Sequence, residues 1–149
     1  MGIERIASKA NDLEYRIPWI VFDRDQVQGF DEIIAKAERE GIQVGWSNPC
    51  FEIWMYAYFG SMPVIQDSWI CCSDFSRVYE NKTGQKYSKA DEQMYRKLCK
   101  SGDEEKAIKI AQQKLEQCIR EGKTKPSEMC PCTTVHELVG EIKYEVKGL

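Results

Sequence analysis

Hydrophobic positions along this chain follow two periods, which together predict an α/β domain. Residues 17–22 form a nearly continuous β-branched and aromatic run, typical of a strand that is covered on both faces. From Phe30 to Ala37, apolar side chains recur at helical spacing, and Gly41 follows as a stop signal. Residues 42–46 alternate as a second strand does. Because strand, helix and strand form a βαβ unit, we expect the two strands to be parallel.

Helical patterns dominate the rest of the chain. We expect a buried helix to residue 59 with Asn48 as its N-cap and Pro49 at its first position, and an amphipathic helix over residues 3–13. Shorter helices are predicted around residues 69–79 and 94–98. In the first of these, one helical stripe contains Trp69, Cys72 and Tyr79, and another contains Cys71, Phe75 and Val78.

Two capping-box signatures predict the starts of the last two helices. Ser101 with Glu104 opens a long helix, and Thr134 with Glu137 opens the final one. The inward positions expected in the long helix are Ile108, Ala111, Leu115, Cys118 and Ile119.

Composition fits a single globular domain over residues 1–149, with 42% hydrophobic and 30% charged residues. The net charge of −3 provides no global positive field, so contact with phosphates would need a local basic patch or a metal ion.

No apolar run is long enough for a membrane span or a signal peptide, and we expect a cytoplasmic protein without membrane contact. The seven cysteines are odd in number and irregularly spaced, which argues against a disulfide framework. Neither of the common glycine-rich phosphate loops occurs.

The first candidate site is an acidic pair, Asp23 and Asp25, directly after the first predicted strand. Ligands of open α/β sheets gather at the carboxyl ends of strands, and two carboxylates there can share Mg²⁺. The alternative is that both side chains cap the following turn in solvent. A second acid, Glu52, lies in an otherwise apolar helix, so it must be paired, protonated or functional. Its alternative role is a favourable charge near a helix N-terminus.

The only histidine, His136, flanks the apolar stripe of the last helix. A single histidine is more often a structural hydrogen-bonding group than a catalytic one. Together with Cys130 and Cys132 it offers a soft-metal cluster, although Cys-x-Cys departs from the usual zinc spacing. A zinc-binding adaptor therefore stays open as a third interpretation.

Four segments carry a resemblance to a known family. Residues 19–25 resemble the W-x-V-F-D-R-D segment of RloB-like proteins, and residues 47–54 are similar to their S-N-P-x-F-E-x-W block. Residues 87–89 look like their Y-x-K element and residues 133–139 like their T-T-V-H-x-L-V close. The order is the family's, and the similarity covers essentially the whole chain.

The resemblance implies a Toprim-like domain of a bacterial phage-defence, or abortive-infection, system, with a short parallel sheet and a helical C-terminal half. It implies a nuclease that cuts nucleic-acid phosphodiesters with Mg²⁺ or Mn²⁺, and an AAA-type ATPase from the same locus as partner. Carried over, Asp23 and Asp25 would hold the metal, and Glu52, Lys89 and His136 would complete the catalytic group.

Two departures from the family pattern qualify this expectation. The first family strand, with its general acid–base glutamate, is expected to be missing, since only 22 residues precede Asp23. The family also tends to have a histidine where this chain has Tyr58. The chain is then either a fragment or degenerate form of the nuclease, inactive by itself, or a subunit that another subunit completes, and a homo-oligomer is left open. The alternative is a non-catalytic module that binds the ATPase.

Overall fold

The fold is seen in a computed structural model that describes residues 17–25 and 27–147, with side chains described as far as residue 144. The helix predicted over residues 3–13 lies outside this range. One sheet contains β1 (Trp19–Asp23), β2 (Gln43–Asn48) and β3 (Cys132–Thr133), in the order β1-β2-β3. β1 and β2 are parallel, with Asp23 opposite Ser47, so the predicted βαβ unit is confirmed. The sheet is mixed rather than parallel, because β3 joins β2 in the antiparallel direction.

Helices make up most of the rest of the described chain. They are α1 (Phe30–Arg39), α2 (Glu52–Ala57), α3 (Ser68–Thr83), α4 (Met94–Ser101), α5 (Glu104–Arg120) and α6 (Val135–Lys147), with a short 3₁₀ turn at Pro126–Glu128.

Helix α1 packs on the sheet through the stripe that the sequence predicts. Phe30, Ile34 and Ala37 are buried, and the Phe30 ring meets the edge of Trp46 from β2. Asp31 lies in the first turn, where the helix dipole favours a negative charge. The buried stripe therefore fixes the orientation of α1 on the sheet.

Helix α2 is the centre of the larger core. All its side chains are buried, including Glu52, and it packs between α3 and α5. Phe75 of α3 meets the edge of the Tyr56 ring, and Ala107 of α5 is fully buried. Each large apolar side chain buried here contributes about 1.5–3 kcal/mol to folding. This packing holds the start of α2 against the ends of β1 and β2.

The predicted N-cap of α2 is wrong. Asn48 is the last residue of β2, and its side-chain amide donates to the Met129 carbonyl at 2.9 Å. Pro49 therefore precedes the helix, which begins at Glu52. The buried amide ties β2 to the segment that leads into β3.

Both predicted capping boxes are also wrong. Ser101 ends α4, and the carboxylate of Asp103 caps α5 by accepting from the Lys106 N–H at 3.0 Å. The Thr134 hydroxyl bonds to two backbone groups of β2, while the Thr133 hydroxyl accepts from the N–H that opens α6.

Two residues assigned to apolar stripes face solvent instead. Ile119 of α5 is 57% exposed, and Trp69 of α3 is 77% exposed. The buried stripe of α3 is Cys71, Phe75 and Tyr79.

Within the part of the chain that the structure describes, no helix is both long and apolar enough to cross a membrane.

Candidate functional site

The segment after β1 is fixed by its backbone to the neighbouring strand and loop. Asp23 ends β1, and its Oδ2 accepts from the Phe51 N–H at 3.1 Å. The next two backbone N–H groups donate to the carbonyls of Ser47 and Pro49, both at 2.9 Å. Asp23 and Asp25 are therefore held at the carboxyl ends of β1 and β2, as the sequence predicts.

Asp25 has an unusual backbone conformation for a residue with a side chain. Its φ of 29° is positive, a region in which aspartate is among the better tolerated residues. The Ser68 hydroxyl donates to Asp25 Oδ1 at 2.6 Å and so links the acidic segment to the start of α3. Conformations of this kind persist where surrounding contacts enforce them, and they concentrate at functional sites.

Glu52 is the buried acid of the site, only 2% exposed. Its Oε2 accepts from the Tyr87 hydroxyl at 2.7 Å and from the Cys72 thiol at 3.3 Å. The ammonium of Lys89 lies 3.4 Å from the same oxygen. The other oxygen, Oε1, is buried without a hydrogen-bond partner among the described residues. A buried carboxylate oxygen of this kind calls for an explanation, such as an ion or a water molecule.

The charges of the site act on one another. Burial raises the pKa of Asp23, and the nearby charges of Asp25 and Glu52 raise it further, against the opposing effects of the Phe51 N–H and Lys89. Burial alone would also raise the pKa of Glu52, but the Tyr87 hydroxyl, its own backbone N–H and Lys89 outweigh it and lower that pKa. The three acids therefore concentrate negative charge that a cation would stabilise.

The donor set fits Mg²⁺ held by one or two carboxylates. Among the described residues, no three histidine, cysteine, aspartate or glutamate side chains are arranged to hold a metal ion. Mg²⁺ commonly binds through one or two carboxylates and keeps several waters, and Asp23 and Asp25 supply donor oxygens of this kind.

An open polar cleft of about 600 Å³ adjoins the acidic segment. Arg24, Asp25, Ser68 and Lys123 are among the residues that line it. Sequence reasoning missed Arg24 and Lys123, although a basic residue between two aspartates is a signal that could have identified the first. Lys123 belongs to a distant loop, and nothing in its local sequence connects it with Asp25.

The predicted catalytic residues divide into two groups. The charges of Asp25, Glu52 and Lys89 all act on the Asp23 carboxyl, and Lys89 pairs with Glu52. His136 instead bonds through Nε2 to Gln112 Oε1 of α5 at 2.8 Å, and burial lowers its pKa to about 4. Its contacts favour a structural role.

The zinc interpretation gains no support from the geometry. All three proposed ligands lie in the described part of the chain, and they do not form a group that could hold a metal ion. Cys132 is buried against Cys118, and the Cys130 thiol lies 3.6 Å from the Ile65 carbonyl.

Comparison with known proteins identifies one family. Searches of curated proteins and of solved structures found no match. The model of the family described as RloB-like protein matches residues 3–142, which is most of the chain and includes every site residue named above. This chain therefore belongs to the RloB-like protein family.

Proposed function

We propose that this chain is a Mg²⁺-dependent, Toprim-like nuclease subunit of a bacterial phage-defence system that hydrolyses nucleic-acid phosphodiesters. One observation carries the proposal: Asp23 lies at the carboxyl end of the parallel strand β1, and its carboxyl is acted on by the charges of Asp25, Glu52 and Lys89. Membership of the RloB-like family supports it, since the family resemblance implies Toprim chemistry.

Each residue has a distinct role in this proposal. Asp23 and Asp25 hold the metal, which when bound neutralises phosphate charge and activates water. Glu52 adds a third negative charge, and its lowered pKa keeps it ionised at neutral pH. Lys89 has a side chain that is 62% exposed, so its ammonium can reach a phosphate oxygen while remaining beside Glu52. His136 contributes by fixing α6 to α5 rather than by proton transfer.

A second role, binding an AAA-type ATPase without catalysis, is supported by a separate feature. Within the described residues β1 is an edge strand, and Val21 on it is 46% exposed. Exposed strand edges bind further strands or partner chains. In that case complex formation would not depend on Asp23 or Asp25.

The test is a calorimetric titration of Mg²⁺ and Mn²⁺ into the purified chain and into Asp23→Asn and Asp25→Asn variants. The matched control is Glu80→Gln, which removes an exposed acid from α3. We expect binding by the wild type and the control, with at least a tenfold loss in each aspartate variant. Circular dichroism would establish that the variants keep their helical content.

Metal-dependent cleavage of labelled oligonucleotides, with the ATPase present and absent, is the second readout. Cleavage lost in Asp23→Asn and kept in Glu80→Gln would support the nuclease. Equal Mg²⁺ affinity in the wild type and both aspartate variants would contradict the metal assignment. If the two aspartate variants had unchanged Mg²⁺ affinity and still bound the ATPase, the non-catalytic role would be favoured.

A further inference from the structure

A strongly basic surface lies on this protein, although the net charge of the chain is −3. It consists of two adjoining depressions, of about 340 and 370 Å³, that share Ser101. Among the described residues that line them, the only acid is Asp103. The cations that define the basic surface are Lys82 of α3, Arg96, Lys97 and Lys100 of α4, and Lys106 of α5.

Most of the positive charge on the basic surface is available to a ligand. Lys97 is paired with Asp91 at 2.5 Å, but the other four cations form no salt bridge with any described residue. These four side chains belong to exposed residues. The Asp103 carboxylate is engaged as the N-cap of α5, where it accepts from the Lys106 N–H at 3.0 Å. The basic surface therefore keeps a positive charge that would attract an anionic ligand.

The groups on α4 and around it match the chemistry of phosphate. Arg96 presents a planar guanidinium, which can bind a phosphate group through two parallel hydrogen bonds. Lys100 lies four residues further along α4, so its side chain shares a helix face with Arg96. Gln85, Gln93 and Ser101 line the same depression, and side chains of these types commonly donate to phosphate oxygens. The surface thus offers a row of phosphate ligands rather than a single charge.

The basic surface has the charge that the cleft beside Asp25 lacks. That cleft is lined by three acids and two cations, so its charge favours a metal ion over a chain of phosphates. The loop after α3 connects the two regions. Gln85 at its start lines the basic surface, and Lys89 further along lies 3.4 Å from Glu52. A ligand on the basic surface is therefore bound next to the loop that completes the acidic site.

The length of α3 gives the separation of the two regions. The Cys72 thiol of this helix donates to Glu52 at 3.3 Å, and Thr83 at its end lines the basic surface. The 11 residues between them span about 16 Å at 1.5 Å per residue, which is roughly five base pairs of a duplex at 3.4 Å each. A short stretch of nucleic acid is long enough to contact both regions at once.

We propose that the basic surface binds the phosphate backbone of a nucleic acid and holds it beside the acidic site. This rests on the proposed function and states how that site takes its substrate. Because the contacts are made to phosphates, binding should be independent of base sequence and should weaken steeply as salt is added. The metal-binding pair is not needed for it.

The experiment measures binding without catalysis. Fluorescence anisotropy of a labelled DNA duplex is recorded with the full chain in EDTA over a series of salt concentrations. The test variant is Arg96→Gln/Lys100→Gln. The matched control is Lys36→Gln/Arg39→Gln, which likewise removes one exposed arginine and one exposed lysine from a single helix, α1. A third variant, Arg96→Lys/Lys100→Arg, keeps both charges, and circular dichroism establishes that all variants are folded.

We expect Arg96→Gln/Lys100→Gln to bind the duplex at least about tenfold more weakly near physiological salt. The slope of log K against log salt should become shallower by about 1.8, since each phosphate contact to B-DNA contributes about 0.9. The control double variant and the charge-preserving variant should bind as the wild type does. Asp23→Asn should bind the duplex at least as tightly as the wild type, because it removes a negative charge and no phosphate contact.

No detectable duplex binding by the wild type, or equal losses in Arg96→Gln/Lys100→Gln and its control, would overturn the proposal. So would displacement of the duplex by a polyglutamate peptide of the same charge at an equal concentration, since the surface would then belong to an acidic protein segment. Absence of Mg²⁺ binding and of cleavage in the wild type, with duplex binding to the basic surface intact, would refute the nuclease chemistry alone.

Discussion

The buried histidine gives this protein a pH dependence that can be calculated from one group. His136 is the only histidine in the sequence, it is 2% exposed, and its Nε2 contacts Gln112. Burial lowers its pKa from 6.5 to about 4, with a nearby Thr133 carbonyl opposing part of the effect. The folded protein therefore keeps a neutral imidazole at a pH where the unfolded chain already carries a charged one.

The sign of the effect follows from proton binding. Between pH 6.5 and about 4, the unfolded chain binds a proton at His136 that the folded chain does not, so folding stability falls as the pH falls. Above pH 6.5 both states are neutral and the effect vanishes. Each pKa unit corresponds to about 1.4 kcal/mol, and integration from pH 7 to about pH 5 gives a loss of about 2 kcal/mol.

Two measurements check this prediction. The ring proton signal of the single imidazole in an NMR titration should have a midpoint near pH 4 in the folded protein. Urea unfolding at pH 7 and at about pH 5 should show that the wild type loses about 2 kcal/mol more than His136→Gln over this interval. The carboxylates are the same in both proteins, so their contributions cancel in the difference. A midpoint near 6.5, or the same pH dependence in both proteins, would refute the reasoning.

Further predictions concern the buried acid and two glycines. Glu52→Ala should lower the free energy of unfolding by about 2–3 kcal/mol because it leaves the Tyr87 hydroxyl without its charged acceptor, while Glu80→Ala on the exposed face of α3 should change it by less than about 0.5 kcal/mol. Similar losses in both variants by urea unfolding would count against the buried network. Gly102→Ala should destabilise by about 1–3 kcal/mol, because the new Cβ would lie 2.6 Å from the Tyr58 carbonyl oxygen. Gly140→Ala, in helix α6 with open space around it, should stabilise by up to about 1 kcal/mol, and melting temperatures that shift in the same direction for both variants would contradict this contrast.

Much of the fold could be predicted from the sequence because the responsible signals are local. The run that forms β1, the stripe of α1 and the alternation of β2 each lie within one element, so hydrophobic period alone identifies them. The acidic pair was predictable for the same reason, because the end of a strand is visible in the chain and its position in a βαβ unit is general. The position of Glu52 among apolar residues likewise indicated that this acid is buried, and a buried acid needs partners.

The tertiary structure decided which polar groups meet. Tyr87 and Lys89 reach Glu52 from a loop 35 and 37 residues further along the chain, a pairing that no helical or strand period encodes. Competition for hydrogen bonds decided the helix starts: the Asn48 amide and the Thr134 hydroxyl match capping signatures but bond to groups elsewhere in the fold.

The strand β3 and the exposure of Trp69 were also beyond the sequence. β3 has two residues, too few for any periodic signal, and exists because β2 presents a free edge to it. Trp69 lies on a helix with two apolar faces, and only the packing of Cys71, Phe75 and Tyr79 against the core determines that the indole faces solvent. The chain by itself thus determined β1, β2, the stripe of α1 and the acidic pair, because these depend on neighbours in sequence. The partners of Glu52 and the surroundings of the cleft depend on residues that come together only when the core packs.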